Sequence, residues 1–284
     1  MTDLIATNNA RRVTPQELEQ YSKVGYLKNL PLFDQAAVEN LQKEFMEIVD
    51  GVPEGVDIYR TNNWHKANRW FYELSQTPAI LDYVEDLIGP QFNQWGGGFF
   101  IKFPHDETEV PFHQDASYWP LDPRISVTVW IAVFDTDREN GCMRIVPGSN
   151  HWGDISHADL PDAPDWAKMT SEEVAKSKYV LWKQVDPDSF TEEQTVDMTL
   201  KAGEISLHDD DLIHGSGGNP SDRMRCGITF RYCPTKVKCD LSVWPNFEVY
   251  RCRGEDRFEH NPFGKVPVKK GYPSGFNQLS SEFE

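Results

Sequence analysis

The sequence predicts a mainly β protein with flanking helices, a sheet sandwich or barrel that carries helices on its outside. Helical signals concentrate in the first ninety residues. From Phe92 onward, short β-branched and aromatic runs follow one another, each bounded by turn residues. The length, 284 residues, suits one domain of this kind and a full core. The expected organisation is a single domain over 1–284. Residues 1–90 form a helical part and 91–235 a β core with an insertion at about 154–189, and 236–284 form a C-terminal extension.

Thr14-Pro15-Gln16-Glu17 has the form of a capping box with proline at the first helical position. Asp34 can cap a helix from Gln35 to about Val49, in which Val38, Leu41, Phe45 and Ile48 recur at helical spacing. Thr77-Pro78 opens a further helix and Gly89-Pro90 stops it. Between them, the stretch from Val52 to Phe71 has no clear period and is dense in Asn, aromatic and basic residues. FNQWGGGFFIKFP reads as a strand with a Gly-rich bend, and Ile125–Phe134 as a strand. MRIVP, ISLHD and CGITFRYCP are shorter strands. The insertion is polar, with Pro161, Pro164 and Pro187, and is expected to be partly helical around Ser171–Ser177.

Composition excludes several functions. Lys and Arg number 28 against 45 Asp and Glu, a formal charge of −17, which argues against a nucleic-acid or anionic-membrane surface. No run approaches the roughly 20 apolar residues of a membrane helix, and the first residues lack the apolar segment of a secretory signal. Five cysteines without CxxC spacing fit reduced thiols and a cytoplasmic protein. The expected partner is a small molecule; whether the chain is a monomer or a homo-oligomer stays open.

Chemistry concentrates in two places. If His113-Gln114-Asp115 lies on a strand, positions 113 and 115 face the same way and offer an imidazole and a carboxylate side by side. The third ligand must come from elsewhere, and His214 is the candidate. Two histidines and a carboxylate on one face of a metal leave positions open, the arrangement of non-haem Fe(II) oxygenases. Taken alone, an HxD tripeptide is common and usually unrelated to metal. His208 reads as structural, and Asp209-Asp210-Asp211 as a solvated turn that can orient His214.

Four blocks in order change the odds: HQD at 113–115, TVWIAV at 128–133, ENGCMRIVPGSNHWG at 139–153 and HGSGGNPSDRMR at 214–225. With them the sequence resembles the phytanoyl-CoA dioxygenase family of Fe(II)- and 2-oxoglutarate-dependent oxygenases. The resemblance covers Phe92 to Tyr232, about half of the chain. It implies a double-stranded β-helix core, a cupin-like jelly roll. It also implies Fe(II) on His113, Asp115 and His214, with 2-oxoglutarate and O₂ as cosubstrates. Arg225, eleven residues after His214, matches the arginine that binds the far carboxylate of 2-oxoglutarate, a bidentate task that lysine performs less well. Ser216 matches an assisting hydroxyl, Trp130 a tryptophan near the cosubstrate, and Lys102 a basic residue near the site. Arg231 competes with Arg225, and spacing favours Arg225. Asp115 retains the carboxylate that halogenases of the superfamily replace, which points to hydroxylation or a related oxidation.

For the substrate, the segment Tyr59, Arg60, Asn62, Asn63, His65 and Lys66 offers a polar, partly cationic lining, and Tyr118 and Trp119 can wall the pocket. Alternatively, Trp64, Trp70 and Phe71 form a hydrophobic cluster under a loop. A polar lining suits a small metabolite such as an amino acid derivative, a betaine or a phosphonate. Two rival readings are a non-oxidative cupin-type metalloenzyme, for example an isomerase, and a non-catalytic jelly-roll binding module.

Overall fold

The computed structural model describes residues 11–54, 58, 61–160, 180–181 and 183–273. The helices are α1 (Pro15–Val24), α2 (Gln35–Asp50), α3 (Trp64–Ala67), α4 (Arg69–Ser75) and α5 (Pro78–Ile88). At α1 the Thr14 hydroxyl accepts from the Glu17 N–H and the Glu17 carboxylate accepts from the Thr14 N–H, so the capping box is complete. Asp34 caps α2 through the Ala37 N–H at 2.9 Å, and α2 buries Val38, Leu41, Phe45 and Ile48. The first ninety residues are not helical throughout, because Tyr26–Pro31 forms a strand, β1, between α1 and α2. It satisfies its backbone by pairing with a strand almost two hundred residues later. The aperiodic stretch holds two short helices, α3 and α4. Asn68 caps α4, and Trp64 and Phe71 pack on Phe99 at 4.9 and 5.1 Å between ring centroids. Trp64, Trp70 and Phe71 are therefore core residues, as the alternative reading had it.

The remaining strands are β2 (Phe92–Lys102), β3 (Val110–His113), β4 (Leu121–Asp122), β5 (Val127–Ala132), β6 (Arg144–Ile145), β7 (His157–Asp159) and β8 (Lys183–Val185). They continue with β9 (Val196–Asp197), β10 (Glu204–Asp209), β11 (His214–Ser216), β12 (Arg225–Pro234), β13 (Lys238–Cys239) and β14 (Tyr250–Arg253). A large sheet has the order β1-β10-β5-β12-β2-β14 and a small sheet the order β3-β11-β6-β9. Both are antiparallel. The chain crosses repeatedly between the sheets: β2 in the large, β3 in the small, β5 large, β6 small, then β10 large, β11 small and β12 large. This winding is a double-stranded β-helix, the jelly-roll architecture. The two ends of the insertion pair as β7 and β8; the helix expected around Ser171–Ser177 lies outside the described residues. In the C-terminal extension, β14 adds an edge strand beside β2 and β13 pairs with β4.

The two faces of the large sheet meet opposite demands. One face carries Val127, Val129, Ile131, Ile205, Leu207, Ile228, Phe230 and Tyr232, all buried in one cluster with the apolar faces of α2 and α5. The other face carries Ser206 and His208 of β10, Thr128 and Trp130 of β5, and Arg225, Thr229 and Arg231 of β12, aligned in rows across the ladders. Alternation along each strand separates the two sets. The loop that carries the chain from β11 back to β12 is tied down by Asn219, which donates to the carbonyls of Phe103 and Arg223, and by the Lys102 ammonium, which donates to the carbonyls of Thr108 and Gly217.

Gly227 sits between Arg225 and Thr229 on the polar face. A Cβ there would lie 2.0 Å from the Trp130 ring, so only glycine lets the indole lie across the strand. Gly227→Ala is expected to destabilise the fold by about 1–3 kcal/mol through overpacking. A thermal melt followed by circular dichroism checks this, and a midpoint equal to wild type would show that the indole has another place to go.

Candidate metal centre

His113 ends β3 and His214 begins β11, and the two are paired directly across the small sheet. Each Nδ1 lies against the backbone carbonyl two residues earlier, Pro111 at 2.8 Å and Leu212 at 2.9 Å. A carbonyl accepts only, so Nδ1 carries the proton in both rings and each Nε2 keeps its lone pair for a ligand. Asp115 lies just past the strand, at the start of a 3₁₀ turn over Asp115–Ser117, and still reaches the same side. Its carboxylate is 3.4 Å from the His113 Nε2. The ligand atoms of His113, Asp115 and His214 all lie within 4.8 Å of one another. Donors about 2.1 Å from a shared ion lie about 3–4 Å apart, so these three need little movement to hold one.

The middle residue turns away and locks the geometry. Gln114 is fully buried and donates from Nε2 to the carbonyls of Gly153 and Asp211 at 2.9 and 2.8 Å. Its Oε1 accepts from the Ile155 N–H at 2.9 Å, and its own N–H donates to the His157 ring at 3.1 Å. Electrostatics also suit metal ligation. Burial, with His113 adding to it, pushes the His214 imidazole down to about 4, so it is neutral at pH 7. Burial raises the Asp115 carboxyl, but the adjacent His113 and the nearby His214 and Arg231 outweigh this and hold it below the usual carboxylate range.

The triad opens into a cavity between the two sheets, with about 410 Å³ of empty space including the part open to solvent. The small sheet contributes Val110, His113, His214, Gly215 and Ser216, and the large sheet Phe100, Thr128, Trp130, His208, Arg225, Thr229 and Arg231. Arg225 is buried, its Nε has no hydrogen-bond partner, and its guanidinium lies 5.2 Å from the Trp130 ring centroid. Burial lowers it to about 10, which leaves it charged at neutral pH. Thr128 Oγ1, Ser206 Oγ, His208 Nδ1 and Arg231 Nε also lack partners. Buried polar groups in native proteins are nearly always satisfied, so this face is built to meet something in the cavity. The chemistry of the set is specific: two imidazoles and a carboxylate suit a divalent first-row metal, and a guanidinium across the cavity suits a carboxylate.

The structure brings together His113, Asp115, His214, Arg225, Ser216 and Trp130 around this cavity. Lys102 does not line it. Paired with Arg225 on the neighbouring strand, Lys102 spends its ammonium on two loop carbonyls, and burial lowers it to about 7. Asn62 is exposed and bridges to Gly98, while Asn63 is buried in the left-handed conformation that precedes α3. Neither reaches the cavity wall. Tyr59 lies outside the described residues. Tyr118 stands one layer back, with its ring 5.8 Å from that of His113 and its hydroxyl donating to the Lys183 carbonyl. Trp119 stands behind the wall against Arg231, and His65 packs edge-on to Tyr250, also outside the cavity wall. His208, read as structural, does line the cavity, with its ring 4.9 Å from that of His214. Arg231 lines it together with Arg225 instead of competing with it. The missed signal was parity: residues six apart on one strand share a face.

Comparison with known proteins agrees with this geometry. The chain matches the family described as phytanoyl-CoA dioxygenase (PhyH) over residues 21–227, well over half its length. It is 30% identical over 166 residues to the peroxisomal phytanoyl-CoA dioxygenase of Mus musculus, covering 57% of this chain and 45% of that protein. It is 27% identical over 185 residues to the L-proline trans-4-hydroxylase of Streptomyces griseoviridis, covering 63% and 68%. The chain spans about half the length of the first mammalian relatives it matches. Among solved structures, the apo form of the non-heme monooxygenase ThoJ superposes with a TM-score of 0.72 at 24% identity, covering 89% of each chain. CytC3 with Fe(II) and alpha-ketoglutarate superposes with a TM-score of 0.61 at 20% identity, covering 95% and 98%. At these identities the structural likeness speaks to fold, and with the match along the sequence it leads to one assignment: the chain belongs to the phytanoyl-CoA dioxygenase family.

Proposed function

We propose that this protein is an Fe(II)- and 2-oxoglutarate-dependent oxygenase that hydroxylates an unactivated C–H bond of a small polar metabolite. The observation that carries the reading is the pairing of the His–Asp–His triad with a buried Arg225, its Nε unpartnered, across one cavity. His113, Asp115 and His214 would hold Fe(II). When bound, the metal supplies O₂ activation for C–H oxidation, coupled to conversion of 2-oxoglutarate to succinate and CO₂.

The chain's own residues bind, orient and shield. Arg225 receives the far carboxylate of 2-oxoglutarate as a bidentate pair, with the Trp130 ring beside the guanidinium and the Ser216 hydroxyl within the same wall. The carbonyls of Pro111 and Leu212 hold the two imidazoles in the ligating tautomer. Phe100, Val110 and Met143 exclude water from the space between.

The lining supports a small substrate. Its charged members among the described residues are Asp115, Arg225 and Arg231, with no basic cluster for the phosphates of a coenzyme A thioester. The relative that acts on L-proline favours an amino acid derivative. The five free cysteines suit a reducing compartment, in keeping with a cytoplasmic enzyme, and among the described residues no helix is long and apolar enough to cross a membrane.

Two measurements test the reading. Anaerobic addition of Fe(II) and 2-oxoglutarate is expected to produce a weak visible charge-transfer band that is absent in His214→Ala. No band in wild type, or an unchanged band in the variant, would exclude the assignment. Arg225→Met is expected to weaken 2-oxoglutarate by about 30-fold or more, because the buried carboxylate loses its partner. A titration of the band against 2-oxoglutarate reads this directly, and Arg225→Lys should fall between the two.

A further inference from the structure

Arg231 is the second cation on the inner face of β12, six residues from Arg225, or about 20 Å along the strand. Its surroundings are built for it. β2 bulges at Trp95 opposite Arg231, since Arg231 pairs with Gly96 and Tyr232 with Gln94. The bulge sets Trp95 beside the guanidinium, 5.9 Å from its ring centroid, while Trp119 flanks it at 5.2 Å. The arginine stem crosses Gly96, where a Cβ would sit 3.2 Å from Cδ. His65 lies behind with both ring nitrogens unpartnered; burial and the cations Lys66 and Arg231 push it down to about 3, so it is neutral.

Yet among the described residues no carboxylate pairs directly with Arg231. Arg231 Nε is buried without a partner, and among the described residues the guanidinium has no ion pair. Asp115 acts on it at a distance, whereas Arg225 at the other end feels Asp106. With the reading above, Asp115 is committed to the metal and 2-oxoglutarate to Arg225. A divalent ion, a doubly charged cosubstrate, one aspartate and two arginines leave the cavity with one net positive charge.

We infer that Arg231 is the anchor for a carboxylate on the primary substrate, which makes the substrate a small carboxylic acid of amino- or hydroxy-acid type. This rests on the oxygenase reading. A planar fork held between two indole rings favours a planar carboxylate over a tetrahedral phosphonate. Thr128, paired with Arg231 across the ladder and with His208 on the other side, supplies an unpartnered hydroxyl in the same row.

The test uses protein loaded with Ni(II) and saturating 2-oxoglutarate, an inert form in which Arg225 is occupied. Calorimetry compares a panel of small amino and hydroxy acids, led by L-proline and glycine betaine, with their carboxamides and with aminoalkylphosphonates. At least one acid is expected to bind, with its amide about 30-fold weaker or more. Arg231→Met should abolish the preference and Arg231→Lys keep a smaller one. Without ligand, Arg231→Met should melt no lower than wild type, because it removes an uncompensated charge, whereas a structural arginine would give a clear loss. Equal binding of amides or phosphonates, no binding by any acid, or a preference that survives Arg231→Met overturns the inference. Failure of the oxygenase reading is separate: it would appear as no absorption band with Fe(II) and 2-oxoglutarate in wild-type protein.

Discussion

Everything in this molecule depends on one sheet being buried on both faces for opposite reasons. A sheet covered on both sides usually reads as a continuous apolar run. Here β5 and β12 alternate instead. Val129, Ile131, Ile228 and Phe230 go to the helices, while Thr128, Trp130, Thr229 and Arg231 go to the cavity. The apolar half supplies the stability; each fully buried aliphatic or aromatic side chain contributes about 1.5–3 kcal/mol. That half lets the other tolerate unpartnered polar atoms, which no isolated sheet would keep. The helices α2 and α5 are therefore part of the site at one remove, because they cover the face that holds the strands together.

How much of this was legible from residues alone follows the same division. The capped helices α1, α2 and α5 were legible because their signals are local: Thr14 with Glu17, Asp34, and Pro78 with Gly89. The triad and Arg225 were legible through motif spacing. What stayed hidden was non-local. β1 is a strand because β10 lies beside it, not because of its own residues. The glycines of β2 looked like a bend, yet the strand runs unbroken over Phe92–Lys102, and its irregularity is the bulge at Trp95. Lys102 carried the right charge in the right region, but its ammonium turns to the carbonyls of Thr108 and Gly217. The polar segment around Asn62 and Asn63 suggested a lining, and the cavity wall came instead from strand residues whose parity was available but unused.

Energetics explain how two buried arginines can stand without an ion-pair partner among the described residues. Removing a guanidinium from water costs several kcal/mol even after relaxation. An indole beside it returns about 0.5–2 kcal/mol. Trp130 at Arg225, and Trp95 with Trp119 at Arg231, thus offset part of the cost without neutralising the charge. Aromatic walls keep a cation in place, dry and oriented, while a carboxylate wall would quench it. Such preorganisation lowers the ordering cost when an anion arrives.

The placement of the functional groups on separate layers has a mechanical side. The metal ligands belong to the small sheet and its rim, where strands are two to four residues long, while Arg225 stands on the long, helix-backed strand β12. Short strands with few ladder bonds are the first to open locally. A molecule that reaches from the triad to Arg225 therefore acts as a rivet between a pliable layer and a rigid one. If 2-oxoglutarate spans the two layers as proposed, occupancy and stiffness become linked quantities, because the molecule that equips the site for reaction also joins the two sheets.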